Sequence, residues 1–329
     1  MTLQARLQAA LDGKAKPLGS LGRIEALALQ LGVIQDSTRP VVRPAVLVFA
    51  GDHGAAPGVS AYPSSVTAAM VGAYLSGGAA VNLFAQQAAA RLIVVDAGVA
   101  ADLPDHPGLV AAKVRAGTRD WRTGPAMTAA ELDQALSTAA VVVDRLAGEG
   151  CTVLALGEMG IGNTASAALL AHKVAGLDLA ALTGRGAGLD DAGLARKAAA
   201  MASGAARTAA RLPPRDALVE YGGYEIAMLA GAILRAAECQ MCILVDGVIV
   251  TAAAVVAFAM HPDCLAACVF AHRSAEPGHD LMLAHLGASP LLDLGMRLGE
   301  GTGAALAIPL LRAAAAVLSD MADLQDVLA

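Results

Sequence analysis

VLALGEMGIGNTASAALLA, residues 153–171, is the stretch that most directly indicates the fold of this chain. The apolar run Thr152–Leu156 is typical of a buried strand, and the alanine-rich segment Thr164–Ala175 is typical of a helix. Glycines and one carboxylate, Glu158, separate the two elements. A buried strand that passes through glycines into a helix is the first half of a βαβ unit, and it predicts a parallel sheet.

Three other apolar runs have the same form, and each of them ends in glycine or an acid. They are Ala45–Ala50 before GDHG, Leu92–Val95 before DAG and Cys242–Val245 before DG. Helical patterns lie between the strand-like runs at Val66–Tyr74, Glu131–Ala147 and Leu194–Leu212. This alternation predicts an α/β fold, a doubly wound parallel sheet with helices on both faces. Because ligands of such folds bind beyond the carboxyl ends of the strands, the glycine and acid clusters predict one extended site.

The two ends of the chain lack strand patterns. Residues 1–35 are mostly helical, with an interruption at KPLGSLGR (Lys16–Arg23), and residues 291–329 are again helical. We therefore expect an α/β core over residues 36–290. Residues 1–35 and 291–329 should form a small helical subdomain, which carries the RLGEG motif.

Composition limits the classes of function. The 329 residues include 23 Lys and Arg against 29 Asp and Glu, a net charge of −6. This balance argues against nucleic acid as a partner, because neutralising phosphates requires a basic surface.

The apolar runs Gly247–His261 and Gly301–Leu311 fall short of the roughly 20 residues that span a bilayer. Since residues 1–20 contain no signal-peptide core, we expect a soluble cytoplasmic protein without a membrane partner.

Five cysteines, an odd number in a large chain, do not indicate a disulfide framework. The pairs Cys239/Cys242 and Cys264/Cys268 imitate a zinc site. However, Cys242 opens a strand-like run, and the second pair has helical spacing. We expect buried, inert thiols and no metal ion, because free cysteine behaves as a small hydrophobic residue.

RLGEGTGAALAIPLL, residues 297–311, places Glu300 among three glycines before a long apolar run. Glycine lets the backbone approach another group closely or adopt a positive φ. In protected surroundings the pKa of a carboxylate rises, and the carboxylate can accept a proton near neutral pH. The alternative is a glutamate at a helix start, stabilised by the helix dipole. This stretch alone leaves both interpretations open.

Two glycine-rich loops are candidates for phosphate binding. In GEMGIGNT (157–164), Asn163 and Thr164 stand where a helix N-cap is expected, and the N–H groups of a helix start bind anions. TGRGAG (183–188) precedes Lys197 on the next helical segment. Together the loops and the lysine are suited to surround one phosphate monoester. A plain tight turn and a solvated lysine are the alternatives.

The same stretch also fits an NAD-dependent oxidoreductase. Residues 160–165 match G-x-G-x-x-A, the dinucleotide fingerprint, and Asp178 follows at the spacing of the acid that binds the ribose. Against this interpretation, Glu158 stands in the loop, where a carboxylate would repel a pyrophosphate. The fingerprint also lies in the middle of the chain.

A metal-dependent phosphohydrolase is a third interpretation. FAGDHG places Asp52 and His53 at a strand end, and Asp96 and Asp246 follow two other strands. Carboxylates and histidine are the ligands that such enzymes use. However, no further histidine falls at ligand spacing, so this alternative is the weaker one.

Taken together, the motifs resemble the nicotinate-nucleotide–dimethylbenzimidazole phosphoribosyltransferase family of cobalamin lower-ligand assembly. The resemblance covers nearly the whole chain and is specific because many motifs occur in order. They are KPLGSLGRIE, FAGDHG, GVSAYPSSVTAAMV, GGAAVN, GTRDWRTGPAMT, LGEMGIGNTASAALL, GRGAGLDD, GGYEIAMLAGAILRAA, SAEPGH and RLGEGTGAALAIPLLRAA.

The resemblance implies a homodimeric transferase. Its expected reaction moves the 5-phosphoribosyl group of nicotinate mononucleotide to 5,6-dimethylbenzimidazole or a related base, with inversion, and yields α-ribazole 5′-phosphate and nicotinate. Because the donor carries a phosphate monoester, no cofactor and no metal ion are expected. The sequence leaves open which base is used, and which groups bind the phosphate beside Ala165 and Ala187.

The resemblance also implies roles for individual residues. Glu300 of RLGEG would be the general base. The residues expected to hold the nucleotide phosphate are Gly160, Asn163, Gly186, Gly188 and Lys197. Those expected near the ribose and nicotinate are Glu158, Ser274 and Glu276. Those expected in the wall of the base pocket are Tyr62, Met70 and Leu298.

Overall fold

The protein, described here as a computed structural model of residues 1–329, contains one six-stranded sheet. Its strands are β1 Pro44–Gly51, β2 Arg91–Gly98, β3 Leu109–Ala111, β4 Val153–Met159, β5 Cys242–Val245 and β6 Cys268–Phe270. They lie in the order β3-β2-β1-β4-β5-β6, and every neighbouring pair is parallel. The predicted doubly wound parallel sheet is therefore confirmed.

Fourteen α-helices and a 3₁₀ helix, Pro262–Ala267, surround the sheet. The α-helices are α1 Leu3–Asp12, α2 Arg23–Ile34, α3 Ser65–Leu75, α4 Ala80–Gln87, α5 Ala129–Gly148, α6 Asn163–Ala175, α7 Leu179–Leu182, α8 Asp191–Ala205, α9 Pro214–Tyr221, α10 Tyr224–Glu238, α11 Val248–Met260, α12 His279–His285, α13 Thr302–Ser319 and α14 Leu324–Leu328. The four predicted strands are present, whereas the three-residue strands β3 and β6 are too short to show a sequence pattern.

Strand β1 shows why the sheet is buried on both faces. Leu47 and Phe49 point into the larger apolar core, which also contains side chains of α5, α6, α10 and α11. Their neighbours Val46 and Val48 point into a second core, shared with α2, α3 and α13. Because successive side chains of a strand face opposite sides, a strand covered on both sides is apolar throughout.

One predicted helix, Leu194–Leu212, was wrong at its carboxyl end, because α8 stops at Ala205. Two buried side chains donate hydrogen bonds to the last carbonyl oxygens of this helix. The hydroxyl of Tyr221 donates to the oxygen of Gly204 at 2.9 Å, and Nζ of Lys173 donates to that of Ala205 at 2.7 Å. These tertiary hydrogen bonds replace the turn that would have continued the helix.

The two ends of the chain meet as helices. Leu7 of α1, Leu31 of α2 and Leu311 of α13 are fully buried in the second core. Lys14 joins the segment after α1 to the segment after α13. Its Nζ lies 3.0 Å from the Asp323 carboxylate and donates to the carbonyl oxygen of residue 321 at 2.9 Å. Helix appears only from Thr302 onward, so the expected helical pattern of residues 291–301 is absent. The division into a core and a terminal subdomain stays a prediction.

Two helical stretches, Ser65–Gln87 and Thr302–Ser319, are long and apolar enough to cross a membrane by length and composition alone. In the fold, residues 76–79 divide the first stretch into α3 and α4. The second stretch is α13, of which 56% is buried inside the protein. A core helix of a globular protein passes the same test, so neither stretch is more than weak evidence for a membrane span.

We predict that Leu31→Ala lowers the free energy of unfolding by about 2–5 kcal/mol, because it leaves a cavity where the terminal helices meet the sheet. Urea unfolding measures the effect. Val33→Ala is the matched control on the same helix, where the side chain is 46% exposed. Its effect should stay within about 0.5 kcal/mol. Equal losses in the two variants would show that the terminal helices are not packed as described.

Candidate active site

A cavity of about 480 Å³ lies beyond the carboxyl ends of β4 and β5. It is close to the point, between β1 and β4, at which the order of the strands reverses direction. Ligands of doubly wound sheets bind at such a point. Most residues singled out from the sequence line this cavity. They are Tyr62, Met70, Glu158, Gly160, Asn163, Gly186, Ser274, Glu276, Leu298 and Glu300. Gly188 and Lys197 are not in its wall.

Glu300 lies at the cavity and directly before the start of α13. Its side chain is 5% exposed. Gly299, Glu300 and Gly301 have φ values of 83°, 64° and 81°. Residues other than glycine rarely adopt this left-handed backbone conformation. The turn passes so close to Gly157 of β4 that a Cβ atom there would lie 2.5 Å from the carbonyl carbon of Glu300. The glycines therefore serve both the helix start and the close approach.

Burial raises the pKa of Glu300 above its ordinary value. The nearby Tyr74 hydroxyl, as a hydrogen-bond donor, opposes this rise, and the negative charge of Asp246 adds to it. A carboxylate whose pKa is raised in this way is a stronger base than one in water. Glu300 is therefore suited to accept a proton near neutral pH.

Glu158 lies near the carboxyl end of β4 and is also buried. Burial raises its pKa to about 8, and the nearby charges of Glu225, Asp246 and Glu300 contribute to the rise. The amide group of Asn163 donates a hydrogen bond to the Glu158 carboxyl group. The cavity thus holds two buried carboxyl groups, Glu158 and Glu300, whose pKa values are both raised and which influence each other.

The expected N-cap at Asn163 was wrong. Helix α6 begins at Asn163, and its N-cap is Gly162, whose φ is 96°. A Cβ atom on Gly162 would lie 3.1 Å from Ala56, so the loop has no room for a capping side chain there. The side chain of Asn163 is consequently free to bind Glu158. The start of α6 still lines the cavity through residues 162–164.

Lys197 joins the two glycine-rich loops from behind the cavity wall. Its Nζ donates to Thr164 Oγ1 at 2.8 Å, in the first loop, and to the carbonyl oxygen of Gly184 at 2.9 Å, in the second. The residue is only 1% exposed, and burial lowers its pKa to about 8, against the opposing charge of Glu276. Lys197 thus stays mainly cationic at pH 7, next to Gly186 in the wall.

The SAEPGH loop is held in place by a neutral histidine. The backbone N–H of Ser274 donates to His279 Nδ1 at 2.8 Å, so the ring proton is on Nε2 and is donated to Thr251 Oγ1 at 2.9 Å. Burial, followed by the charge of His272, lowers the pKa of His279 to about 4. The loop therefore presents Ser274 to the cavity in a fixed position.

Two basic side chains at the cavity, Arg185 and Arg297, were not expected from the sequence. Nη1 of Arg297 lies 3.8 Å from Glu276 Oε1 and donates to the carbonyl oxygen of Gly186 at 3.5 Å. Arg297 therefore links the SAEPGH loop to the second glycine loop. Its place within RLGEG, three residues before Glu300, was the available signal in the sequence.

The mouth of the cavity is apolar. Tyr62 is 50% exposed and Leu298 is 55% exposed, while Val66 and Met70 of α3 continue the wall inward. Exposed apolar side chains around a concave site are typical of surfaces that bind an apolar or aromatic group. This wall contains the three residues that were expected in the base pocket.

The residues considered for a metal site are engaged elsewhere. His53 Nε2 lies 2.6 Å from Glu225 Oε1, and both side chains are fully buried. Asp52 accepts a backbone N–H from residue 100, Asp96 accepts one from residue 99, and Asp246 accepts two from the start of α13. No three His, Cys, Asp or Glu side chains come together as a metal-binding group.

The dinucleotide fingerprint and the cysteine pairs also have other structural explanations. The glycines of residues 160–165 follow β4 instead of the first strand, and Asp178 caps α7 by accepting the N–H groups of residues 180 and 181. All five cysteines are free, and burial raises the pKa of Cys242 to about 12. Cys151 and Cys239 are half-buried, so burial of the thiols is complete for only three.

The chain is similar to known proteins over nearly its whole length. A family model described as phosphoribosyltransferase matches residues 1–327. Nicotinate-nucleotide–dimethylbenzimidazole phosphoribosyltransferase from Aromatoleum aromaticum is 56% identical over 322 residues, which cover 97% of this chain and 94% of that protein. The protein of the same name from Shewanella loihica is 46% identical over 325 residues, covering 98% and 95%.

A solved structure gives the same result. The crystal structure of CobT from Thermus thermophilus matches with a TM-score of 0.95 at 44% identity, covering 99% of this chain and 98% of that one. Both the sequence and the fold are thus matched from end to end. The chain belongs to the nicotinate-nucleotide–dimethylbenzimidazole phosphoribosyltransferase family.

Proposed function

We propose that this protein transfers the 5-phosphoribosyl group of nicotinate mononucleotide to 5,6-dimethylbenzimidazole or a related base. The products are α-ribazole 5′-phosphate and nicotinate, and the reaction belongs to cobalamin lower-ligand assembly. The observation that carries the proposal is Glu300, a buried carboxylate of raised pKa beside two glycine-rich loops in one cavity. Relatives that are named for this reaction and that match this chain over nearly their whole length support the proposal.

The nucleotide would lie across the cavity from the glycine loops to the SAEPGH loop. The phosphate monoester fits the start of α6 and Gly186, because helix N-termini and a cation such as Lys197 stabilise an anion. The ribose and nicotinate would then face Glu158, Ser274 and Glu276. The acceptor base would lie on the apolar wall, beside the carboxylate of Glu300.

The proposed chemistry requires one base. The bond between C1′ and the nicotinate nitrogen breaks, and its electron pair neutralises the positive charge of that ring. A benzimidazole nitrogen forms the new bond to C1′ from the opposite face, so the configuration inverts. The other nitrogen of the benzimidazole then carries an acidic N–H, whose proton passes to Glu300. The leaving group needs no proton, because it is cationic before it leaves.

Three further proposals accompany this function. The protein acts as a homodimer in the cytoplasm, which rests on the family resemblance of the sequence. Residues 1–35 and 291–329 act as a helical subdomain that presents RLGEG to the core of residues 36–290. The proposal rests on the meeting of α1, α2 and α13, which pack together in an apolar cluster that they share with the sheet.

We predict that Glu300→Gln lowers kcat by on the order of 10²-fold or more, because the amide cannot accept the proton. Release of nicotinate, followed by chromatography, measures the rate. Binding of nicotinate mononucleotide, measured by calorimetry, should be retained, since glutamine has the same shape. A folded Glu300→Gln protein with a near wild-type kcat would contradict the assignment of the base.

We predict that kcat/KM declines as the pH is lowered, with a midpoint above the ordinary glutamate pKa of about 4.3. The reason is that Glu300 must be ionised to act, and its pKa in the fold is raised. Carboxyl ¹³C NMR of the free protein, with Glu300→Gln to assign the signal, should give the same midpoint. A signal that titrates at or below about 4.3 would contradict this expectation.

We predict that Lys197→Met raises the KM for nicotinate mononucleotide by about 10- to 100-fold, with a smaller effect on kcat. Hydrogen bonds to a charged group are worth about 1.5–3 kcal/mol, and this variant also separates the two loops. Lys173→Met is the matched control. Lys173 is equally buried and donates to carbonyl oxygens of residues 205 and 209, away from the cavity. An equal KM in the two variants would contradict the assignment of Lys197 to the phosphate site.

A further inference from the structure

Asp246 holds the start of the helix that follows Glu300. The residue comes directly after β5 and is 1% exposed. Its Oδ2 accepts the backbone N–H of Gly301 at 3.2 Å, and its Oδ1 accepts that of Ala304 at 2.9 Å. The first N–H groups of a helix have no partner within the helix. A carboxylate from the sheet thus binds two of these groups in α13.

The hydrogen bond to Gly301 acts next to a strained residue. Glu300 has a positive φ, between two glycines that have the same conformation. Such a backbone persists only where its surroundings fix it. Gly157 blocks movement towards β4, and Asp246 holds the turn from the side of β5. The position of the Glu300 carboxylate therefore depends on both neighbouring strands.

His272 lies against both Asp246 and the start of α13. Its ring is 1% exposed, and Nε2 lies 3.6 Å from Asp246 Oδ1. The ring also packs against Gly303, where a Cβ atom would come within 2.6 Å of the ring carbon Cγ. This close contact explains why residue 303, the third of the glycines near Glu300, has no side chain. Gly303 leaves room for the histidine that lies beside the Asp246 carboxylate.

We propose that Asp246 is a positioning residue for Glu300, and that its carboxylate fixes the turn that presents the base. Asp246 is absent from the cavity wall, so it acts through Gly301 and Ala304 and not on the substrate. The inference rests on the proposed function, since it assigns Asp246 to the base of that reaction.

Besides its hydrogen bonds, Asp246 affects the charge state of Glu300, which a carboxylate remote from Glu300 would not do. The groups that face Glu300 from other elements are Tyr74 of α3, Glu158 at the end of β4 and Asp246 at the end of β5. Arg297 is the charged group of its own loop. The charge of Asp246 raises the pKa of Glu300. Removal of that charge should therefore move the acid limb of the pH–rate profile to lower pH.

The test is Asp246→Asn in the full-length protein. Asparagine keeps the size, but it offers one acceptor oxygen in place of two, so one N–H group of α13 loses its partner. We expect kcat to fall by on the order of 10- to 100-fold, as for a displaced catalytic group, with little change in the KM for nicotinate mononucleotide. The acid limb should also move to lower pH.

Asp96→Asn is the matched control. Asp96, at the end of β2, is also buried, and its Oδ1 accepts the backbone N–H of Val99 at 2.9 Å, remote from Glu300. This variant should lose stability in thermal unfolding but keep kcat and the acid limb of wild type. Unchanged kcat and acid limb in Asp246→Asn, or equal losses in both variants, would overturn the inference. An inactive wild type would instead refute the proposed function.

Hydrogen exchange in the wild-type protein provides a second test, which holds even if Asp246→Asn fails to fold. The amides of Gly301 and Ala304 should exchange slowly, because both are bonded to Asp246. NMR measures their protection directly. Exchange of these two amides at the rate of exposed loop amides would show that Asp246 does not hold the turn, and would overturn the inference.

Discussion

The contact between the backbone of β4 and the turn before α13 is the constraint on which the site depends. No side chain stands between Gly157 and the turn at Glu300 and Gly301, so two pieces of main chain lie directly against each other. Any Cβ atom at Gly157 would push the turn away from the sheet. Because α13 starts at this turn and packs with α1 and α2, the same contact also sets where the terminal helices lie.

The buried region in and behind the cavity wall concentrates acids that a surface would spread apart. Glu158, Glu225, Asp246 and Glu300 influence one another within a buried region, and His53 and His272 lie beside two of them. Burial and mutual repulsion raise the pKa values of Glu158, Asp246 and Glu300. Such surroundings suit a substrate whose leaving ring is positively charged until the bond breaks. The same charges would disfavour a pyrophosphate, which agrees with the rejection of a dinucleotide.

Much of the fold was predictable, because buried strands with glycine or acid at their ends leave a clear pattern in the sequence. The two interpretations of the Glu300 stretch, a helix start and protected surroundings, were given as alternatives, and both apply in the fold. What failed depended on individual hydrogen bonds between one element and another, which leave no periodic pattern in the sequence. The end of α8 is set by Lys173 and Tyr221, and the side chain of Asn163 is directed by Glu158 instead of capping α6. The hydrogen bonds of Asp246 likewise join residues more than fifty positions apart.

Lys197 and Glu300 lie far apart along the chain, and this distance has a consequence for synthesis. Both glycine loops and their connecting lysine are complete well before RLGEG is translated, and α13 follows only near the carboxyl terminus. Because domains generally fold as units and the turn at Glu300 lies directly against β4, the site is complete only after this late segment has been made and has packed on the sheet. The lysine and the carboxylate of the proposed reaction are thus brought together by folding of the whole unit, and not by local sequence.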